Sequence, residues 1–175
     1  KKEFMIFDYC QNFEFFDEHP DGANTTSMKP LLQQIFEAKL KISQLITHVP
    51  DKTPAEVEVK DAYLTELHKI IQNLDESRFV VRSQLRYVTA YSNKSKWLDL
   101  SKSDIQEVNS HLSHLQPASK GDDELARRFD MLVLVYQIVL LTGSSDTAKY
   151  IGKIYSTAAA LEKKDNIPQV AFHLP

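Results

Sequence analysis

Residues 30–48, PLLQQIFEAKLKISQLITH, decide the fold class. Leu31, Leu32, Ile35, Phe36, Leu40, Ile42, Leu45 and Ile46 recur near helical spacing, which gives a helix one continuous apolar face. Pro30 suits the first turn, where its missing N–H has no intrahelical partner to lose. Val49-Pro50-Asp51 ends the element, because the residue before a proline is pushed out of the helical region. The pattern predicts a helix from about Pro30 to His48.

Toward the C-terminus the same period continues. Thr53-Pro54-Ala55-Glu56 has the form of a capping box and sets a second start at about Pro54. Val57, Val59, Tyr63, Leu64, Leu67, Ile70, Ile71 and Leu74 extend it for nearly twenty residues. Asp75 is a candidate cap for the next segment, in which Phe79, Val80, Leu85, Tyr87, Val88 and Tyr91 keep the helical pattern and the β-branched pair Val80-Val81 invites an interruption. Trp97 and Leu98 fall in a connector, and Ser101 to Asp104 caps a helix reaching about Leu115. Pro117 and Gly121 break the chain. From Asp122 the sequence is apolar almost all round through Leu141, the pattern of a central, buried strut, with Gly143 as its left-handed terminal residue. Asp146 opens a last helix to about Lys164, with Tyr150, Ile151, Ile154, Tyr155, Ala158 and Leu161 expected to face inward.

Toward the N-terminus the period is lost. Residues 17–28, DEHPDGANTTSM, collect turn formers, and 17–29 reads as a linker. Before it, residues 4–16, FMIFDYCQNFEFF, read as a short apolar strand at 4–9 running into an aromatic turn. A single strand leaves its backbone polar groups unpaired, so this one is expected to belong to a sheet elsewhere, in a longer protein. The extended residues 165–175 point the same way. The expected fold is therefore all-α, an irregular bundle of about six helices over residues 30–164, with one N-terminal β-strand left from a preceding domain at 1–16.

A net charge of −3, with 42% hydrophobic and 26% charged residues, suits a single globular core and argues against a strongly basic nucleic-acid binder. The lone Cys10 precludes an intramolecular disulfide and fits the cytoplasm, and the richest apolar run, 131–141, is too short to span a bilayer.

The chemistry-bearing residue types are scattered. His111 and His114 lie three apart on a predicted helix, a metal-compatible spacing, but no further ligand follows, so the solvent-facing reading is preferred. Glu37-Ala38-Lys39 and Glu58-Val59-Lys60 carry the carboxylate-x-lysine pair of metal-dependent nucleases, yet both sit in predicted helices where surface ion pairing explains them better. Gly22, Gly121, Gly143 and Gly152 are too isolated to form a phosphate loop. No catalytic, cofactor-binding or metal residues are expected. Arg78, Arg82 and Arg86 repeat every four residues and are the candidate contacts to a DNA backbone, with Lys94 and Lys96 beside them. The preferred reading pairs the arginines with Asp75, Glu76 or acidic residues of neighbouring helices. For Arg127 and Arg128, one of the two is expected at the core boundary in an ion pair. Tyr87, Tyr91 and Trp97 are expected in the core rather than stacked on bases.

Taken in order, IFDYCQNFEFF at 6–16, RFVVRSQLRYVTAYS at 78–92, LARRFDMLVLVYQ at 125–137 and LEKKDNIPQV at 161–170 resemble the motor subunit of type I restriction-modification enzymes, in the part that follows its second RecA-like lobe. The resemblance implies that the orphan strand is the last strand of that lobe and that the helices form a support and docking domain. It also implies methyltransferase and specificity subunits as partners, DNA engaged through the whole enzyme, and ATP and Mg²⁺ used upstream. None of the family's ATP-binding or nuclease motifs maps onto a residue here.

Overall fold

A computed structural model describes residues 29–116 and 124–162. The strand expected at 4–9, the linker at 17–28, the break at Pro117 and Gly121 and the extended C-terminal residues lie outside the described residues, as do the side chains of Leu161 and Glu162. Within them the chain is all helical. The α-helices are α1 (Leu31–His48), α2 (Pro54–Gln72), α3 (Phe79–Arg82), α4 (Leu85–Tyr91), α5 (Lys102–His111), α6 (Glu124–Leu141) and α7 (Thr147–Glu162), with a 3₁₀ turn at Lys94–Trp97 before α5. Residues 79–91 divide into two short helices, α3 and α4, with the interruption at Ser83-Gln84 rather than at the Val80-Val81 pair. No helix of the described residues is long and apolar enough to cross a membrane.

The ends form where local chemistry places them. Val49 takes extended angles (φ −67°, ψ 128°) ahead of Pro50 and closes α1. Thr53 Oγ1 accepts from the Glu56 N–H at 3.2 Å while the Glu56 carboxylate accepts from the Thr53 N–H at 2.7 Å. Ser101 and Asp104 repeat this arrangement at the start of α5. After α6, Gly143 sits at φ +63°. Its N–H donates to the Leu140 carbonyl and that of Ser144 to Val139, the paired bonds of a Schellman end.

The central helix is α1, not α6. Phe36 and Leu40 enter one core with Leu67, Ile71, Val81, Val88, Tyr91, Trp97, Val108, Leu112 and Leu115. Ala38, Ile42 and Ile46 enter a second core with Leu134. Residues two apart on a helix point about 200° apart, so these two series lie on opposite faces of α1. Helix α2 serves both cores along its length, Val59 and Tyr63 in the second, then Leu67 and Ile71 in the first.

The expectation that α6 is buried on all sides is corrected. Only its Met131, Leu134, Ile138 and Leu141 face meets α1 and α2. Helix α7 packs chiefly on α6. Leu140 is half exposed and Leu125 largely so. An all-round apolar sequence records how much burial a helix would favour, and says nothing about how many neighbours are there to provide it. On α7, Tyr150, Ile151 and Ile154 are partly buried as expected, but Tyr155 and Ala158 are exposed.

Candidate functional site

The three arginines do not form the continuous row that the four-residue repeat predicts. Ser83 and Gln84 separate α3 from α4, and Arg78 precedes α3 with extended angles (φ −67°, ψ 131°). Arg78 Nη1 donates to the Leu115 carbonyl at 2.9 Å, clipping the start of α3 to the turn after α5. Arg82, the last residue of α3, is exposed. Arg86 is exposed on α4, with its guanidinium 5.3 Å from the centroid of the Tyr87 ring. That ring stacks on His111 at 3.8 Å and 6°.

The pairing expected with Asp75 and Glu76 does not form. The Asp75 carboxylate accepts from the hydroxyl and N–H of Ser77, at 2.6 and 2.9 Å, and these bonds lower its pKa with a smaller contribution from the charge of Arg78. None of the ion pairs among the described residues includes Arg78, Arg82 or Arg86. From Ser77 to Leu98 the chain carries Arg78, Arg82, Arg86, Lys94 and Lys96 and no carboxylate, although its net charge is negative. Lys96 is partly spent, since its Nζ lies 3.4 Å from Asp104.

Exposed apolar side chains sit among these cations. Phe79 is 85% exposed, Val80 44% and Leu85 40%, while Val81 and Val88 of the same segment are fully buried. The sequence pattern placed Phe79, Val80 and Leu85 on the helix's apolar face. The short length of α3 and the break after it mean that one turn anchors through Val81 alone and its neighbours turn outward.

The remaining polar clusters fasten helices together. The Tyr91 hydroxyl lies 2.8 Å from Asp104 Oδ1 and 2.9 Å from Glu107 Oε2, joining α4 to α5. Burial and these two hydrogen bonds push the Tyr91 phenol far above its usual range. The Asp104 carboxyl is held at about 2, chiefly by the Ser101 hydroxyl, with Tyr91, the Ser101 N–H and Lys96 adding to it against the opposing effect of burial. Glu37 joins α1 to the turn after α5, accepting from Ser113 Oγ at 3.1 Å, Gln33 at 2.9 Å and Lys29 at 2.7 Å. Burial would raise its pKa, but the three donors together lower it. Tyr63 donates to Gln137 Oε1 at 2.8 Å and ties α2 to α6.

Histidines have structural partners as well. His68 is buried, donates from Nε2 to the Ser92 carbonyl at 2.8 Å and meets the Trp97 ring edge-on. His111 ends α5 and His114 lies beyond it, so the pair does not share a helical face. No group of three or more metal-ligating side chains occurs among the described residues. Lys39 pairs with Glu66 and Glu37 with Lys29, so the first carboxylate-x-lysine motif is divided between two different partners. Trp97 and Tyr91 are core residues, the Trp97 Nε1–H donating to the Tyr91 carbonyl at 2.7 Å. Of Arg127 and Arg128, Arg127 is the partly buried member, and Arg128 pairs with Glu124 on the open surface.

A cleft of about 360 Å³ opens between α1 and the segment leading into α5. Its floor is Leu40, Leu64, Trp97 and Ile105, and its rim carries His48, Lys60, Asp99 and Lys102. Sequence reasoning did not find this cleft, because its walls come from three segments far apart in the chain. No family model matches the chain, and no curated protein or solved structure matches it.

Proposed function

We propose that this chain is a helical support and subunit-docking domain of the DNA-translocating subunit of a type I restriction enzyme. The sequence resemblance supplies the assembly, in which methyltransferase and specificity subunits are the partners, ATP and Mg²⁺ are used elsewhere in the translocating subunit, and the setting is the cytoplasm. The observation that carries the mechanical role is the bracing between helices. Arg78 to Leu115, Glu37 to Ser113 and Tyr63 to Gln137 each join elements distant in sequence, and Tyr91 to Asp104 and Glu107 joins α4 to α5. Satisfied polar networks of this kind, added to two apolar cores, fix helix positions against sliding and suit a body that transmits force.

The test is a titration of the purified chain against its cognate methyltransferase core at two salt concentrations, with a DNA-only control. Saturable binding to the core is expected. Failure to bind the core at either salt would remove the docking role.

The exposure of Arg82 and Arg86 supports a second reading, a DNA-tracking domain that contacts backbone phosphates. Arg78, partly buried and with Nη1 bonded to the Leu115 carbonyl, would reach a phosphate only through its remaining N–H donors. This reading requires affinity for DNA alone that falls with salt at a log–log slope of about −0.9 per phosphate contacted.

A further inference from the structure

We infer that the docking face is the edge formed by α3 and α4, with Phe79 as its apolar anchor and Arg82 and Arg86 as its charged rim. The occupant is a protein surface that offers an apolar socket edged by carboxylates. The assignment rests on the reading of this chain as a docking domain and adds the face and the chemistry of the contact.

Three observations converge on this edge. Phe79 is the most exposed of the large apolar residues described, at 85%, and Val80 and Leu85 add apolar surface within seven positions of it. Its neighbour Val81 is fully buried, so the backbone is anchored while the aromatic ring projects from it. A rigidly mounted aromatic side chain loses little conformational freedom when a partner covers it, which is why such residues dominate binding hot spots together with arginine.

Charge selects the partner. The absence of any carboxylate from Ser77 to Leu98 leaves Arg82 and Arg86 without a counter-charge in their own segment; of the two acids just before it, Asp75 accepts from Ser77, and Glu76 forms no ion pair among the described residues. Arg86 is also braced over the Tyr87 ring, which in turn stacks on His111. An acidic rim on the partner would supply the missing charge. The aliphatic Val80 and Leu85 favour a protein over a nucleic acid here, because a phosphate backbone gains nothing from branched apolar side chains and interface centres do.

The experiment measures binding of the 175-residue chain to the cognate methyltransferase core and, in parallel, to a DNA duplex, for the wild type, Phe79→Ala, the double variant Arg82→Glu/Arg86→Glu, and Tyr155→Ala. Tyr155, 67% exposed on α7, is the control for a surface aromatic away from this edge. All substituted side chains are exposed, and circular dichroism should show wild-type helicity throughout. The expected result is core binding weakened about tenfold or more by Phe79→Ala, and further by the double charge reversal, with Tyr155→Ala unchanged. Core binding that survives both face variants overturns the face and leaves the docking function standing. Wild-type chain that does not bind the core at all removes both. Binding to the duplex alone, lost on charge reversal, overturns the protein partner in favour of nucleic acid.

Discussion

Arg78 and Arg82 are four residues apart, carry the same charge and serve different ends. The Arg78 guanidinium donates to the carbonyl of Leu115, a fully buried residue, so replacing it leaves that acceptor unpaired at the junction of α3 with the turn after α5. Arg78→Ala should cost about 1.5–3 kcal/mol in urea unfolding, the range for a charge-assisted bond to a poorly solvated acceptor. Arg82→Ala, at an exposed position, should change stability by no more than about 0.5 kcal/mol. Equal costs at the two sites would show that Arg78 is as free as Arg82. No periodicity rule could have separated them, because the partner of Arg78 lies thirty-seven residues away in sequence. Asp104 gives a second residue-scale outcome. Its folded-state pKa of about 2 lies below the ordinary 3.8, so between these values the unfolded chain binds the proton more readily. Its contribution to stability is therefore present above about pH 4 and is lost as pH falls toward 2. Midpoints of urea unfolding measured from pH 6 to pH 2 should decline less steeply through that window in Asp104→Asn, whose side chain can still accept from the Ser101 N–H. An unchanged slope would mean that other carboxylates dominate the acid transition.

Helix ends were the legible elements, because a cap is written within four residues. Thr53 with Glu56, Ser101 with Asp104, and Gly143 all stand where sequence placed them and act as sequence chemistry requires. The two described glycines turn that into a paired prediction. At Gly143 an added Cβ would meet no atom within 4 Å, yet φ is +63°, so Gly143→Ala should destabilise by about 1–2 kcal/mol through backbone strain alone. At Gly152, inside α7, a Cβ is equally unobstructed and the backbone is helical, so Gly152→Ala should stabilise by about 0.5–1 kcal/mol. Thermal melts of the two variants moving in opposite directions would confirm that conformation, not space, decides the sign. The length of an element was less legible than its ends. Residues 79–91 kept an apolar helical period but divide into α3 and α4, and α5 stops at His111, short of Leu115. In both places non-local contacts, Val81 in the first core and Leu112 and Leu115 sealing it, override the local repeat.

At the scale of the whole molecule, the order of packing sets the order of unfolding. The first core joins α1 to α2, α3, α4, α5 and the 3₁₀ turn, whereas α6 packs in the second core, with the Tyr63–Gln137 bond, and α7 chiefly on α6. Sequence gave α6 the central place because it carries the densest apolar run, but centrality belongs to the helix with two buried faces. The signal for α1 was present in the paired series Phe36 and Leu40 against Ala38, Ile42 and Ile46, with the small Ala38 and Ser43 allowing close approach, and a single-face reading merged the two. The consequence concerns Leu134, which is 3% exposed in the second core. Leu134→Ala should cost about 2–5 kcal/mol, the range for a large-to-small change in a packed interior. That cost should fall on α6 and α7 first, because α1 keeps Phe36 and Leu40 in the first core when its other face is laid bare. Native-state hydrogen exchange reads this directly: amides of α6 and α7 should lose protection while those of Leu67, Ile71, Val88 and Val108 keep it. A uniform loss across both groups would mean that the two cores unfold as one unit, and that α1 couples its opposite faces too strongly for either to open alone.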